Sequence, residues 1–271
     1  MISTGLTSQE LSLIEELIGN YGSIVSLAQI EASLSSMSKA KLRKMVSRLA
    51  QKGWLFRVKR GVYVVCDISQ RGSLAISHYT VGNLLVEDSY ISFEGALQAH
   101  GMYDQLLATL RSISLTRYKD SQVGGVAYRF IKTTDKYFYG WETHWLDGWQ
   151  VKIASAEKAL IDMIQFHRNT YSVDLVIEVL GEYENEIDLK KLVGYLHKST
   201  IAVQRIFGFV FDLLGLSEEA EALHSVVKGK TNSSKVTAQS DLFNARWRLY
   251  YNEFLGKYQQ QPLYAQLTQH I

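Results

Sequence analysis

Between residues 36 and 61 the chain carries nine basic side chains (Lys39, Lys41, Arg43, Lys44, Arg48, Lys52, Arg57, Lys59 and Arg60) and no acidic one. Within it Leu42, Met45, Val46 and Leu49 recur at i, i+3, i+4 and i+7, the spacing of one buried stripe on a helix. Turning that stripe inward leaves Ala40, Lys41, Arg43, Lys44, Ser47 and Arg48 on the outer face. Gly53 closes the helix, 54–58 reads as a strand, Lys59-Arg60-Gly61 turns the chain, and 62–65 returns beside it. Solvated helix faces mix the two signs, and this one does not. A helix with an apolar stripe, a cationic outer face and a cationic hairpin behind it suits the major groove of duplex DNA, where Arg and Lys neutralise phosphates or reach guanine edges. The candidate DNA contacts are therefore Lys39, Lys41, Arg43, Lys44, Ser47 and Arg48 on a recognition helix, and Arg57, Lys59 and Arg60 on a wing.

The residues before this stretch supply two further helices. Thr7-Ser8-Gln9-Glu10 has the capping-box spacing, and the helix it opens is expected to bury Leu11, Ile14, Leu17 and Ile18 and to stop near 19–22. Ser26 is placed to cap a short second helix with Leu27, Ala28 and Ile30 inward, and 33–36 forms the turn. Three helices and a hairpin in about 65 residues match the arithmetic of a winged helix-turn-helix. Charge agrees. Residues 1–66 hold nine bases against four acids, a net +5, so the formal +2 of the whole chain leaves −3 for the remainder. A small basic module on a slightly acidic body is the asymmetry expected when one end meets nucleic acid.

At 271 residues the chain is long enough for two domains. The single cysteine, Cys66, leaves no internal disulfide and no cysteine zinc site. No basic start precedes an apolar run and no uninterrupted apolar stretch is long enough to span a bilayer, so a cytoplasmic protein with no membrane partner is expected.

Residues 67–73 are polar and glycine-bearing and read as a boundary between domains at 1–66 and 74–271. Beyond it, 74–86 reads as a helix with Ala75, Tyr79, Leu84 and Leu85 inward, 90–93 as a short extended piece and 95–100 as a short helix. Aromatic and β-branched stretches at 112–118, 126–132, 137–141 and 149–153, divided by Gly124-Gly125, Thr134-Asp135 and Asp147-Gly148, predict an antiparallel meander. Ser155 caps a helix at 156–166, and helices follow near 173–181, 188–198, 201–214 and 217–227, with Gly181 and Gly215 as stops. The 228–240 segment is loop-like, 246–251 could return as a strand, and the glutamine-rich 259–261 reads as a surface appendage. Strands followed by helices without alternation give an α+β class, with the helices filling the carboxy-terminal half.

Enzymatic patterns are weak. Gly72-Ser73 with Glu87-Asp88 faintly resembles a nucleotidyltransferase site, but that chemistry needs alternate carboxylates on a strand, and these are adjacent. The seven histidines show no i, i+4 pair, and His100 before Gly101 reads as a helix-end residue. Glu157-Lys158 reads as a charged first turn, Gly124-Gly125 as a hairpin turn rather than a phosphate loop, and Trp141, Trp145 and Trp149 as core more readily than as base-stacking platforms. No catalytic residue, metal or cofactor is assigned, and the chain is not expected to be an enzyme.

Gly53-Trp54-Leu55-Phe56-Arg57 with Arg60-Gly61-Val62-Tyr63 resembles the wing of the AbiEi family of antitoxins. So does Tyr90-Ile91-Ser92-Phe93-Glu94-Gly95-Ala96-Leu97 with His100-Gly101-Met102. The stretch IASAEKALID at 153–162 is similar to the family's A-x-x-E-K-x-L-x-D helix, and Arg205 with Phe207-Gly208 through Leu214-Gly215 resembles its late helix. The motifs fall in matching order along nearly the whole chain, least well beyond Leu216. The resemblance implies an antitoxin of a type IV toxin–antitoxin pair, whose winged domain represses its own operon at inverted repeats. Residues 74–271 would then be an α+β antitoxin domain that counteracts a nucleotidyltransferase toxin, with or without a stable complex. It puts operator reading on Lys41, Arg43, Lys44, Ser47 and Arg48 and the wing role on Arg57, Lys59 and Arg60. The alternative is a DNA-binding regulator whose carboxy-terminal domain senses a small ligand.

Overall fold

A computed structural model describes residues 5–35, 37–68 and 71–258. Ser36 of the expected turn, Ser69 and Gln70 of the expected boundary and the 259–261 appendage lie outside the described residues. Contacts group the chain into two units, one of Met1–Ile91, Leu106–Lys132 and Glu142–Ile153, the other of Ser92–Gln105, Thr133–Trp141 and Ala154–Ile271. Strands and helices are mixed but segregated, with three separate sheets, so the α+β class holds.

The first unit opens with α1 (Ser8–Tyr21), β1 (Ile24–Ser26), α2 (Leu27–Ser33), α3 (Lys39–Gln51), β2 (Leu55–Lys59) and β3 (Val62–Val65). The capping box expected at Thr7 forms, and Ser26 caps α2 as expected, with Gln29 completing a second box. The Glu10 N–H donates to the Thr7 hydroxyl and the Thr7 N–H to the Glu10 carboxylate at 2.9 Å, while Ser26 and Gln29 exchange the same pair of bonds. The inward stripe of α1 is Glu10, Leu13, Ile14 and Leu17, not the expected set: Leu11 and Ile18 are 46% and 48% exposed. The helix is turned so that Glu10 points inward, which carries Leu11 and Ile18, one residue further round, into solvent. In α2 only Ile30 is fully buried, with Leu27 half-buried and Ala28 outward. Leu13, Ile14, Leu17, Ile30, Leu42, Met45, Val46, Leu49, Trp54 and Leu55 share one core. The sheet beside it runs β1-β3-β2, antiparallel throughout. At three residues, β1 is too short to show a period in sequence.

The same unit continues with α4 (His78–Leu85), β4 (Ser89–Ile91), β5 (Thr109–Ser114), β6 (Ser121–Val123), β7 (Val126–Lys132), β8 (Trp141–Leu146) and β9 (Trp149–Ala154). Their sheet runs β6-β7-β5-β4-β9-β8, and the expected antiparallel meander is corrected to a mixed sheet. β5 pairs parallel with β7 and β4 parallel with β9, while β4–β5 and β6–β7 are antiparallel. The tight hairpins are those at Gly124-Gly125 and Asp147-Gly148, where all four residues take positive φ, the signature of the tight hairpin turn. The expected strand at 137–141 is instead a 3₁₀ turn at Asp135–Tyr137 with the strand beginning at Trp141. α4 starts at the Ser77 cap, inside the expected helix, and lies close enough to the sheet that a Cβ on Gly82 would stand 3.0 Å from Leu110.

The second unit holds α5 (Phe93–Ala99), α6 (Ala156–Phe166), α7 (Thr170–Glu182), α8 (Leu189–Leu196), α9 (Ile201–Leu214), α10 (Ser217–Val227) and a small sheet of β10 (Ser234–Lys235), β12 (Leu249–Tyr251) and β11 (Leu242–Asn244) in that order. Gly215 ends α9 in the left-handed conformation as expected, whereas Gly181 lies inside α7 rather than stopping it. The carboxy-terminal half is therefore helical with a terminal sheet. Within it Gly208 lies directly under the buried Trp247: a Cβ there would be 2.1 Å from the indole, whose N–H donates to Asp212 at 2.6 Å.

Gly208→Ala forces that indole or α9 to move, and is expected to cost about 3 kcal/mol, the upper end of overpacking. Gly194→Ala, on the exposed face of α8 with nothing within 4 Å of a new Cβ, is expected to stabilise by about 0.5–1 kcal/mol. Urea unfolding of the two variants beside the parent measures both.

Candidate nucleic-acid interface

The stripe expected for α3 is the one observed: Leu42, Met45, Val46 and Leu49 are buried, and Lys39, Ala40, Lys41, Arg43, Lys44, Ser47 and Arg48 are exposed. Among the described residues Lys39, Lys41, Arg43 and Lys44 enter no ion pair. Four cations thus stand in solvent on the face opposite the core, with no acid among the described residues to neutralise them.

Arg48 differs. Its side chain is 51% exposed, yet its Nε lies 2.6 Å from Oε1 of Glu10, whose side chain is wholly buried. The other Glu10 oxygen accepts from Lys52 Nζ at 3.0 Å, and Lys52 also reaches the Gly5 carbonyl at 2.8 Å. Burial by itself would raise the Glu10 carboxyl. The Thr7 N–H, Lys52 and Arg48 outweigh that and hold it down at about 2. This clamp ties α1 to α3 and sets the rotation of α3 about its axis. Arg48 is accordingly half a structural residue, with the outer edge of its guanidinium still turned to solvent.

The hairpin is tied as well. Arg57 and Arg60 are exposed, and Arg57 Nε donates to the Lys59 carbonyl across a bulge in β2. Lys59 is pinned to Glu87 at 3.3 Å. The Gly61 carbonyl, at the turn, accepts the Leu27 N–H at 2.8 Å, which fixes the hairpin tip to the start of α2.

Two further cations of this unit carry no signal in the sequence. Arg111 and Arg129 are register partners on the parallel β5–β7 pair and so share one face of the mixed sheet; Arg129 also lies 3.5 Å from Asp120. Nothing in the local pattern could bring them together, because their strands are joined through β6. Altogether the first unit holds 16 bases and 10 acids, a net +6, and the second 13 and 17, a net −4.

The remaining candidates are accounted for by local bonds. Glu87 is held by Lys59, and Asp88 accepts from the Tyr118 hydroxyl at 2.7 Å. His100 closes α5, as expected for a helix-end residue, with Nε2 2.8 Å from the Ala154 carbonyl. Glu157 and Lys158 stand in the first turn of α6, as read from the sequence, and both are buried. Glu157 pairs with Lys191 at 3.1 Å and accepts the Asp188 N–H, while Lys158 pairs with Asp162, which also accepts from Ser92 at 2.7 Å. Trp145 is 70% exposed rather than core, and Trp141 and Trp149 are half-buried. No helix among the described residues is long and apolar enough to cross a membrane.

Three helices, the third with a cationic outer face, and the hairpin behind it form one compact segment at the amino end. Residues 12–65 match the family model described as transcriptional regulator, AbiEi antitoxin, so over this segment the likeness read from the sequence holds. That span contains every α3 and hairpin candidate. Across the whole chain the fold is similar to that in the crystal structure of the RV2827C protein from Mycobacterium tuberculosis, with a TM-score of 0.67 over 98% of this chain and 97% of that one at 11% identity. Comparison with curated proteins finds no match.

Because the Glu10 carboxyl sits below its unfolded value, it contributes stability above about pH 4.5 that drains away as pH falls toward 2. Glu10→Gln is expected to remove on the order of 2 kcal/mol at pH 7 and to flatten acid unfolding between about pH 5 and pH 2. Denaturant midpoints at pH 7 and pH 3 for parent and variant give the comparison.

Proposed function

We propose that the chain is a DNA-binding regulator and antitoxin of a type IV toxin–antitoxin pair. In this reading α2 and α3 form the helix-turn-helix and the β2–β3 hairpin is the wing. α3 enters the major groove of an inverted-repeat operator in front of its own operon, and repression follows from occupancy. The observation that carries the reading is the outward, unpaired row of Lys39, Lys41, Arg43 and Lys44 inside the segment that matches the AbiEi family. Cations free of internal partners are available to displace counterions from phosphates or to grip a guanine edge. Ser47 adds a short donor and acceptor on the same face. Arg57 and Arg60 would meet the backbone or the minor groove beside it.

The net charge of the first unit supports the same division of labour, drawing it to duplex while the acidic second unit is left to the antitoxic role. That role is the counteraction of a nucleotidyltransferase toxin, in the cytoplasm, without catalysis by this chain. The Glu157–Lys191 and Lys158–Asp162 pairs hold helices together.

Operator binding is expected to weaken steeply with salt, and each substitution that removes a phosphate-neutralising cation should lower the log–log slope by about 0.9. Arg43→Ala is expected to cost about 1–3 kcal/mol of specific binding with unfolding unchanged. Arg48→Ala should lower both affinity and stability, because it also removes one of the two ion pairs of Glu10. Fluorescence anisotropy across a salt series, with unfolding curves alongside, separates the two; a binding curve unmoved by doubling the salt overturns the reading. Co-expression with the product of a neighbouring nucleotidyltransferase gene tests antitoxicity.

A further inference from the structure

Arg205, in the second turn of α9, is 1% exposed and has no carboxylate partner among the described residues. Its bonds are all to neutral acceptors: Nη1 donates to the Asn232 carbonyl and to Ser234 Oγ at 3.2 Å, and Nη2 to the Lys230 carbonyl at 3.0 Å. Nε, buried with them, has no partner. Burial lowers the pKa of this guanidinium, and the nearby Arg248 lowers it further. An arginine does not escape such a cost by losing its proton. A buried cation facing only dipoles and a second cation is an incomplete electrostatic arrangement.

The missing charge has a place to sit. Arg205 lines a cavity of about 440 Å³ together with Ile201 and the loop 229–234. Ile201 is the first residue of the 14-residue helix α9, so the positive end of its dipole opens on the same space. The lining loop contributes Lys230 with the hydroxyls of Thr231, Ser233 and Ser234, and no acid. Of the Nε–Nη2 edge, Nη2 already donates to the Lys230 carbonyl, and Nε is the unused donor, the one a further acceptor would satisfy. The cavity falls in the volume range of small-molecule sites and exceeds what a bare phosphate fills.

The geometry points to a binding site for the phosphoryl group of a small phosphorylated molecule, held by Arg205, the first turn of α9 and Lys230. It stands apart from the DNA reading, since every residue lies in the second unit. The competing explanation is that Arg205 only latches the 229–234 loop through its three carbonyl and hydroxyl bonds.

The test uses the full chain, with inorganic phosphate, adenosine monophosphate and adenosine as probes against sodium chloride at matched ionic strength. Thermal unfolding and ³¹P line broadening read the binding. Phosphate and the monophosphate are expected to raise the unfolding temperature in a saturable way and adenosine is not. Lys230→Ala, at an exposed position that leaves the fold intact, should weaken binding about tenfold or more, and Arg205→Lys should do so while keeping the charge. The proposal is overturned if no phosphate-dependent shift is seen at concentrations on the order of 10 mM, if chloride shifts unfolding as much, or if Lys230→Ala binds as the parent does. A stability loss in Arg205→Lys that is the same with and without phosphate, with broadening retained, establishes the latch instead.

Discussion

One buried carboxylate decides which way the basic helix faces. Glu10 sits at the third residue of α1 and receives the Thr7 N–H, Arg48 and Lys52. A carboxylate in that position is desolvated, so it is tolerable only because three charge-assisted or backbone bonds fill its lone pairs. The same bonds fix α3 at two points one turn apart, on the flank of its apolar stripe. With Leu42, Met45, Val46 and Leu49 holding the inward side and the clamp holding the flank, Lys39, Lys41, Arg43 and Lys44 have only the outward side left. The cationic face thus follows from α1 as much as from α3's own pattern.

Legibility in the sequence tracks how local the determining interaction is. The α3 stripe, the caps at Thr7 and Ser26, the Gly124-Gly125 turn and helices α6 to α10 rest on interactions a few residues apart, and they stand within a few residues of where periodicity puts them. The parallel pairing of β5 with β7 and of β4 with β9 rests on spatial order, which a strand's own composition does not encode. The rotation of α1 is hidden for the same reason. Hydrophobicity alone puts Leu11 and Ile18 inside, whereas Glu10 is drawn in by Arg48, 38 residues away. Of the interface, the cations are legible; that Arg48 is already engaged, that Lys59 is held by Glu87 and that Arg111 lies beside Arg129 are not.

Buried charge in the second unit is handled in two ways, and the contrast is informative. Lys158 and Asp162 neutralise one another along α6, with the Ser92 hydroxyl filling a further lone pair and the Tyr139 ring under the ammonium at 4.8 Å. Glu157 is answered by Lys191 and the Asp188 N–H. In both, each charge has its opposite close by, which is what makes a buried charge bearable. The A-x-x-E-K-x-L-x-D pattern is therefore the hub joining α6 to the turn before α8 and to the start of α5. Arg205 is equally buried but open, its charge met by carbonyl and hydroxyl dipoles alone.

The charge division between the units bears on what an open site of that kind recognises. The first unit, at +6, attracts polyanions through its summed field, so duplex DNA needs no enclosed pocket to be drawn to it. The second, at −4, repels them at long range. An anion that binds there must be small enough for local geometry to overcome the surrounding field, over separations shorter than the Debye length of about 8 Å at physiological salt. A buried guanidinium, a helix N-terminus and a loop with a lysine but no acid act over that range.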